Sequence, residues 1–180
     1  FVNFLNIILP FIVYPYLISV LGTTNYGKVV IAQLVVFYLS LVLNFGSNIS
    51  ATREISKKKN NHKELSRLIC VVFSSKFLLY LFIIIPFLIY ISVYQIERNN
   101  FLLYLFSSGF LFIELLWGLW FYQGIEKMKW IGLFNLVSKL IYVILVFSFI
   151  KSSDDYYLLP MISSLGSLTV GLISIIIIFK

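Results

Sequence analysis

Three charged residues lie inside long apolar stretches of this 180-residue chain: Lys76, Glu114 and Lys139. An ionisable side chain inside a membrane-spanning segment is costly, and those retained there usually have a function. Each lies about 12 Å from one end of its stretch, at a rise of about 1.5 Å per residue. In all three stretches that end adjoins the connections that carry most of the basic residues. We expect Lys76 and Lys139 to face a central cavity and attract an anionic substrate, with Glu114 partly neutralising them. A buried structural ion pair, or lysines reaching the membrane surface, are the alternatives.

Uncharged polar side chains recur at helical spacing in the same stretches. One set is Gln33, Ser40, Asn44 and Asn48, and a second is Asn135, Lys139 and Tyr142. Such spacing places each set on one helix face. We expect these faces to line a water-filled cavity suited to a hydroxyl-rich ligand, and we take their four amide side chains as further site candidates. Hydrogen bonding between helices, worth about 0.6 kcal/mol per contact, is the alternative. A row of small residues in the last run predicts close helix packing instead. It consists of Ser163, Ser167, Gly171 and Ser174.

Residues typical of catalytic and metal centres are isolated in the sequence. His62 and Cys70 each stand alone, so neither a metal-ligand set nor a Cys–His nucleophile pair is available. The adjacent carboxylates Asp154 and Asp155 lie in a connection, and no glycine-rich phosphate loop occurs. We therefore expect no metal, no cofactor and no enzymatic activity.

The elements that must position these side chains are membrane-spanning helices. Apolar residues make up 61% of the chain and charged residues 12%, which is too apolar for a water-soluble core. Crossing about 30 Å of hydrocarbon takes about 20 residues. Six runs are long enough: 1–20, 29–50, 68–94, 101–122, 131–150 and 157–179. Because these runs are continuous rather than alternating, they favour helices over a barrel. The predicted fold class is an all-α integral membrane protein.

The basic residues orient the predicted spans. Nine Lys and Arg residues lie in the connections on one side, and the other side has three, Lys28, Arg98 and Lys151. Basic connections stay in the cytoplasm, so the chain starts there. The net charge of +7 reflects this topology rather than nucleic-acid binding, because the basic connection 51–67 has no interleaved aromatic residues. That connection also suits the head groups of anionic membrane lipids.

Three sequence blocks resemble those of bacterial polysaccharide flippases of the Wzx type. The blocks are PYLISVLGTTNYG at 15–27, Asn44–Gly46 with ATREIS at 51–56, and QGIEKMK at 123–129. They occur in the order of that family and correspond to its first outer loop, its second-span exit with the basic cytoplasmic loop, and the loop after its fourth span. Arg53, within the second block, is a candidate at the cavity mouth.

This resemblance implies one lobe of a two-lobed transporter of the superfamily that also contains MATE exporters. Such proteins move an undecaprenyl-diphosphate-linked oligosaccharide, an O-antigen or capsule repeat unit, across the bacterial inner membrane by alternating access, and other polysaccharide assembly proteins are candidate partners. The chain would be the amino-terminal six-span lobe, spanning 1–180, with both ends cut and the second lobe missing. A MATE-like multidrug or ion-coupled exporter and a membrane-embedded polysaccharide polymerase are the alternatives.

Overall fold

The computed structural model describes residues 2–44, 46–59, 61–94 and 97–178. Helices follow one another through these ranges, and no strand occurs within them. In chain order they are α1 (Val2–Leu43), α2 (Ser47–Lys58), α3 (His62–Tyr94), α4 (Arg98–Leu116), α5 (Leu119–Gly124), α6 (Met128–Phe149), a 3-10 helix (Ser153–Tyr157) and α7 (Leu158–Ile178). The predicted all-helical membrane fold is confirmed.

Within the described ranges, five helical stretches are long and apolar enough to cross a membrane. They are Ile8–Leu43, Lys63–Tyr94, Arg98–Gly124, Met128–Phe149 and Ser153–Ile178. A helix suits hydrocarbon because it satisfies its own backbone hydrogen bonds. Large apolar side chains on these stretches point outward, including Phe82 at 77% exposed and Ile144 at 63%. These surfaces suit lipid acyl chains.

The structure has five such stretches where the sequence predicted six, because α1 continues through the first predicted connection. Its helix is interrupted at Gly22, where φ is 75° and ψ is 160°. Side chains with a Cβ disfavour this backbone conformation, so glycine permits the bend. Gly22 divides α1 into a first arm, 2–21, and a second arm, 23–43.

Contacts with α6 show the direction of the first arm of α1. The amide of Asn6 donates to the Gly132 carbonyl near the start of α6, at 3.4 Å. Ten residues further on, the Tyr16 hydroxyl donates to the Ile150 carbonyl just beyond the end of α6, at 2.7 Å. The first arm therefore runs parallel to α6, towards the 3-10 helix.

The second arm of α1 returns in the opposite direction. The Asn25 amide donates to the Ser153 carbonyl in the 3-10 helix at 2.9 Å. At the other extreme, the Asn44 amide donates to the Glu114 carboxylate, close to the end of α4. The bundle thus has a 3-10 end, near Ser153–Tyr157, and an α2 end, near Ser47–Lys58.

The connection after α1 differs from the prediction, which extended an apolar span to residue 50. Helix α1 ends at Leu43, Gly46 adopts a left-handed φ of 67°, and α2 begins at Ser47. Glycine adopts this conformation without a steric penalty, so Gly46 permits the turn that leads into α2. The predicted basic connection 51–67 is itself mostly helical, since α2 and the start of α3 cover it.

Helix α2 packs on the bundle through two buried apolar side chains, Ala51 and Ile55. They lie against the aromatic residues of α5, a short helix separated from α4 by a break at Trp117 and Gly118. The predicted span 101–122 is therefore two helices in the structure. The close approach of α2 and α5 depends on Gly124, where a Cβ atom would lie only 2.6 Å from Ile55 Cγ2.

Candidate functional site

A buried polar cluster joins α2, α3 and α4 near the α2 end. Lys76, on α3, is only 1% exposed. Its Nζ donates to Asn44 Oδ1 at 2.8 Å and to Asn48 Oδ1 at 3.0 Å. The Asn44 amide in turn donates to Glu114 Oε1 at 2.6 Å. We call these four residues the Lys76 cluster, in which Asn44 bridges a buried cation and a half-buried anion.

The sequence singled out all four residues of the Lys76 cluster. The structure brings them together, with Lys76 inside the packed bundle. Amide oxygens enclose the Lys76 ammonium, and the compensating carboxylate is one residue away through Asn44. Buried charges need such partners because hydrocarbon and protein interiors do not solvate them. Asn44 lies between the two charged groups, so Lys76 and Glu114 interact through a hydrogen-bonded bridge, which is close to the structural alternative considered for Lys76.

Lys139 lies in a different environment, a groove of about 350 Å³ formed by both arms of α1 with α6 and α7. Gln33 and Asn135 line it as well, so three of the predicted site residues share this cavity. The other polar lining residues are Tyr14, Tyr26, Ser138, Tyr142, Ser163 and Ser167. We call this cavity the Lys139 groove. The structure therefore separates the two lysines that the sequence analysis placed in one cavity.

The Lys139 side chain is half-buried and held from one side. Its Nζ donates to the backbone carbonyl of Asn6 in the first arm of α1. An ammonium group has three donors, so two remain for a ligand. Among the lining residues that the structure describes, Lys139 carries the single formal charge. The groove is thus a neutral polar wall with one cation, which favours an anionic group at that point.

Two further cavities continue the groove towards the α2 end. One of about 180 Å³ has Glu114 and Trp117 in its wall and shares Asn135, Ser138 and Ser167 with the Lys139 groove. A wider one of about 580 Å³ has Asn6 and Gln123 in its wall and shares Asn135 and Lys139. Glu114 therefore connects the Lys76 cluster with the groove.

Arg53 is the one predicted site residue that the described contacts associate with neither place. It is exposed on α2, and it is not among the residues lining the Lys139 groove. On the same helix, Lys57 donates to Glu54 at 2.8 Å, and this bond lowers the pKa of the Glu54 carboxyl group. Acidic and basic side chains thus share this surface.

Sequence analysis missed several residues of the groove wall. Tyr26 lies two turns before Gln33 in the second arm of α1, so helical spacing from Gln33 was an available signal. Ser163 and Ser167 were assigned to close packing; they line the groove, and the Ser167 hydroxyl lies 3.2 Å from that of Ser138. Gly171 of the same row does pack closely, against Leu116.

The chain is similar to known proteins over nearly its whole length. The family model described as polysaccharide biosynthesis protein matches residues 1–180. A relative from Escherichia coli (strain K12), named "Putative O-antigen transporter", is 29% identical over 96% of this chain and 42% of its own length. A relative of the same name from Shigella dysenteriae is 30% identical over 97% of this chain and 44% of its own length. No solved structure matches.

The chain spans less than half the length of these two relatives. The family match nevertheless covers every residue, and it agrees with the resemblance carried by the blocks at 15–27, 44–56 and 123–129. The apolar helical bundle is also what a membrane transporter requires. The chain belongs to the polysaccharide biosynthesis protein family.

Proposed function

We propose that this chain forms part of a flippase that carries an undecaprenyl-diphosphate-linked oligosaccharide, an O-antigen or capsule repeat unit, across the bacterial inner membrane. The observation that carries the proposal is the Lys139 groove, a hydroxyl- and amide-lined cavity with one cation inside an apolar helical bundle. The names of the two relatives support it.

The physical problem of such transport is the head group of the substrate. A diphosphate with sugars cannot enter hydrocarbon unaided, because removing a charge from water costs many kcal/mol. The lipid tail has no such cost and can remain in the bilayer. A polar groove with an ammonium group replaces water along the path, and Lys139 supplies that ammonium group.

The wider architecture follows from the same proposal. The two arms of α1 run antiparallel, so each is proposed to cross the membrane, giving six spans with the start in the cytoplasm. A second lobe, outside this chain, would form the opposite wall of the path, and rocking of the lobes would expose the groove alternately to each side. The basic surface near α2 would then face anionic lipids of the cytoplasmic leaflet.

One observation favours a second candidate function. The Glu114 carboxylate lines the small cavity next to the Lys139 groove, and an acidic wall suits the cationic drugs taken by a MATE-like exporter. Against this, Glu114 already accepts the Asn44 amide and is balanced by Lys76. The anionic substrate is therefore the better fit.

The proposal is tested by replacing Lys139 in the full-length protein. Lys139→Ala is expected to reduce surface polysaccharide at least tenfold, because a hydrogen bond to a charged group is worth about 1.5–3 kcal/mol. Lys139→Arg should retain part of the activity, since it keeps the charge. Lys57→Ala, on α2, is the control and should leave the polymer unchanged. Normal polymer with Lys139→Ala at equal expression would refute the role of Lys139. Resistance to cationic drugs in cells that produce the wild-type protein would favour the exporter.

A further inference from the structure

The two ends of the Lys139 groove differ in chemistry. Towards the α2 end the wall is formed by Lys139 and Asn135, a cation and an amide. Towards the 3-10 end it is formed by three tyrosines, Tyr14, Tyr26 and Tyr142. No charged side chain accompanies the tyrosines among the described lining residues. The groove is therefore asymmetric along the bundle axis.

The distance between these two regions follows from helix geometry. Lys139 lies about 16 Å before Ile150 along α6, at a rise of about 1.5 Å per residue. Tyr26 is next to Asn25, whose amide donates to Ser153 just beyond Ile150. Tyr26 and Lys139 are thus about 15 Å apart along the bundle, and Tyr142 lies between them, one helical turn from Lys139.

This separation suits the lengths of the parts of a sugar diphosphate. A diphosphate group and a pyranose ring are each about 5 Å long, so about 15 Å accommodates the diphosphate and one or two sugars. In an environment of low dielectric constant, the phosphates gain most from the ammonium group. Tyrosine presents an apolar ring face for the C–H face of a sugar and a hydroxyl for its polar edge.

We propose that the Lys139 groove binds its substrate in one orientation, with the diphosphate at Lys139 and Asn135 and the sugars nearest the phosphate at Tyr14, Tyr26 and Tyr142. This inference rests on the proposed function. It adds that the tyrosines recognise the sugar, and that the sugars lie closer to the 3-10 end than the phosphates do. Gln33, Ser163 and Ser167 supply hydrogen bonds along the same wall.

The test uses the purified full-length protein and two probes, undecaprenyl diphosphate and the same lipid carrying a single N-acetylhexosamine. Lys139→Gln is expected to weaken binding of both probes by about tenfold or more. Tyr26→Leu and Tyr142→Leu are expected to weaken the sugar-bearing probe about five- to tenfold and to leave the plain lipid within twofold. Tyr38→Leu is the matched control: Tyr38 lies on the same arm of α1, is 65% exposed and does not line the groove.

The outcomes separate this inference from the proposed function. If the tyrosine variants weaken both probes equally, or neither, the orientation is overturned while the role of Lys139 stands. If the wild-type protein binds neither probe, the proposed function fails, and the inference fails with it.

Where a leucine variant melts more than a few degrees below wild type, Tyr26→Phe and Tyr142→Phe replace it. These variants keep the ring, so selective loss of the sugar-bearing probe still supports the inference, and unchanged binding of both probes overturns hydrogen bonding by the hydroxyls.

Discussion

Removing the charge of Lys76 should destabilise the bundle rather than remove a substrate contact. Lys76 is 1% exposed and makes two hydrogen bonds to amide oxygens, and Asn44 connects it to Glu114. Lys76→Met keeps most of the side-chain volume but leaves the half-buried Glu114 carboxylate without its cation. Breaking a buried charge pair costs about 3–5 kcal/mol. Because Asn44 separates the two charges, we expect Lys76→Met to lower the free energy of unfolding by about 3 kcal/mol.

A double-mutant cycle tests this reasoning. Glu114→Gln alone should cost about 1–2 kcal/mol, because Gln still accepts the Asn44 amide while Lys76 loses its counter-charge. The double variant should be more stable than the sum of the single losses implies, by about 1–2 kcal/mol, since neither charge is then unbalanced. The assay is reversible unfolding of the purified full-length protein in detergent.

Lys57→Met is the control for the Lys76 cycle. Lys57 is exposed and pairs with Glu54 at the surface, so its loss should cost less than about 1 kcal/mol. A Lys76→Met protein as stable as this control would refute the assignment of Lys76 to a structural cluster. Strict additivity of the Lys76 and Glu114 losses would show that the two charges do not interact.

Two further predictions concern the α2 end. Gly124→Ala should destabilise the protein by about 1–3 kcal/mol, because the new methyl group would lie 2.6 Å from Ile55 Cγ2. Ile55→Ala should cost less stability in the Gly124→Ala protein than it costs in wild type. Additive losses of stability in thermal unfolding would contradict the contact. Replacing the exposed Arg53, Lys63 and Arg67 by Gln should reduce retention of phosphatidylglycerol in native mass spectrometry, because each basic residue near an anionic surface contributes about 1 kcal/mol. Unchanged lipid retention would show that this surface does not bind anionic lipid.

The helices were predictable because charge is excluded from hydrocarbon so strongly that hydropathy alone marks them. The element ends were less predictable, since they depend on single residues. Helix α1 ends at Leu43 within a sequence that is still largely apolar, Gly46 precedes α2 in a left-handed conformation, and the break at Trp117 and Gly118 separates α5 from α4. Conversely, Gly22 reverses the chain without a connecting segment of irregular structure.

The site was predictable in its residue types but not in its grouping. Sequence spacing gives the depth of Lys76 and Lys139, but the rotation of each helix about its axis is fixed only by packing. Gln33 and Asn48 were predicted to share a face of one helix; the end of α1 at Leu43 places Asn48 on α2, beside Lys76, while Gln33 lines the groove. Long-range packing therefore divided one predicted cavity into a structural cluster and a groove.

Translocation by the reconstituted full-length protein is the direct test of the Lys139 groove as a transport path. Proteoliposomes would carry a fluorescent undecaprenyl-diphosphate-linked sugar, and its arrival in the opposite leaflet would be followed by quenching. We predict that wild type moves this lipid, that Lys57→Gln moves it at the same rate, and that Lys139→Gln slows it at least tenfold. Equal rates for Lys139→Gln and wild type would contradict the claim that this groove provides the path for the phosphates.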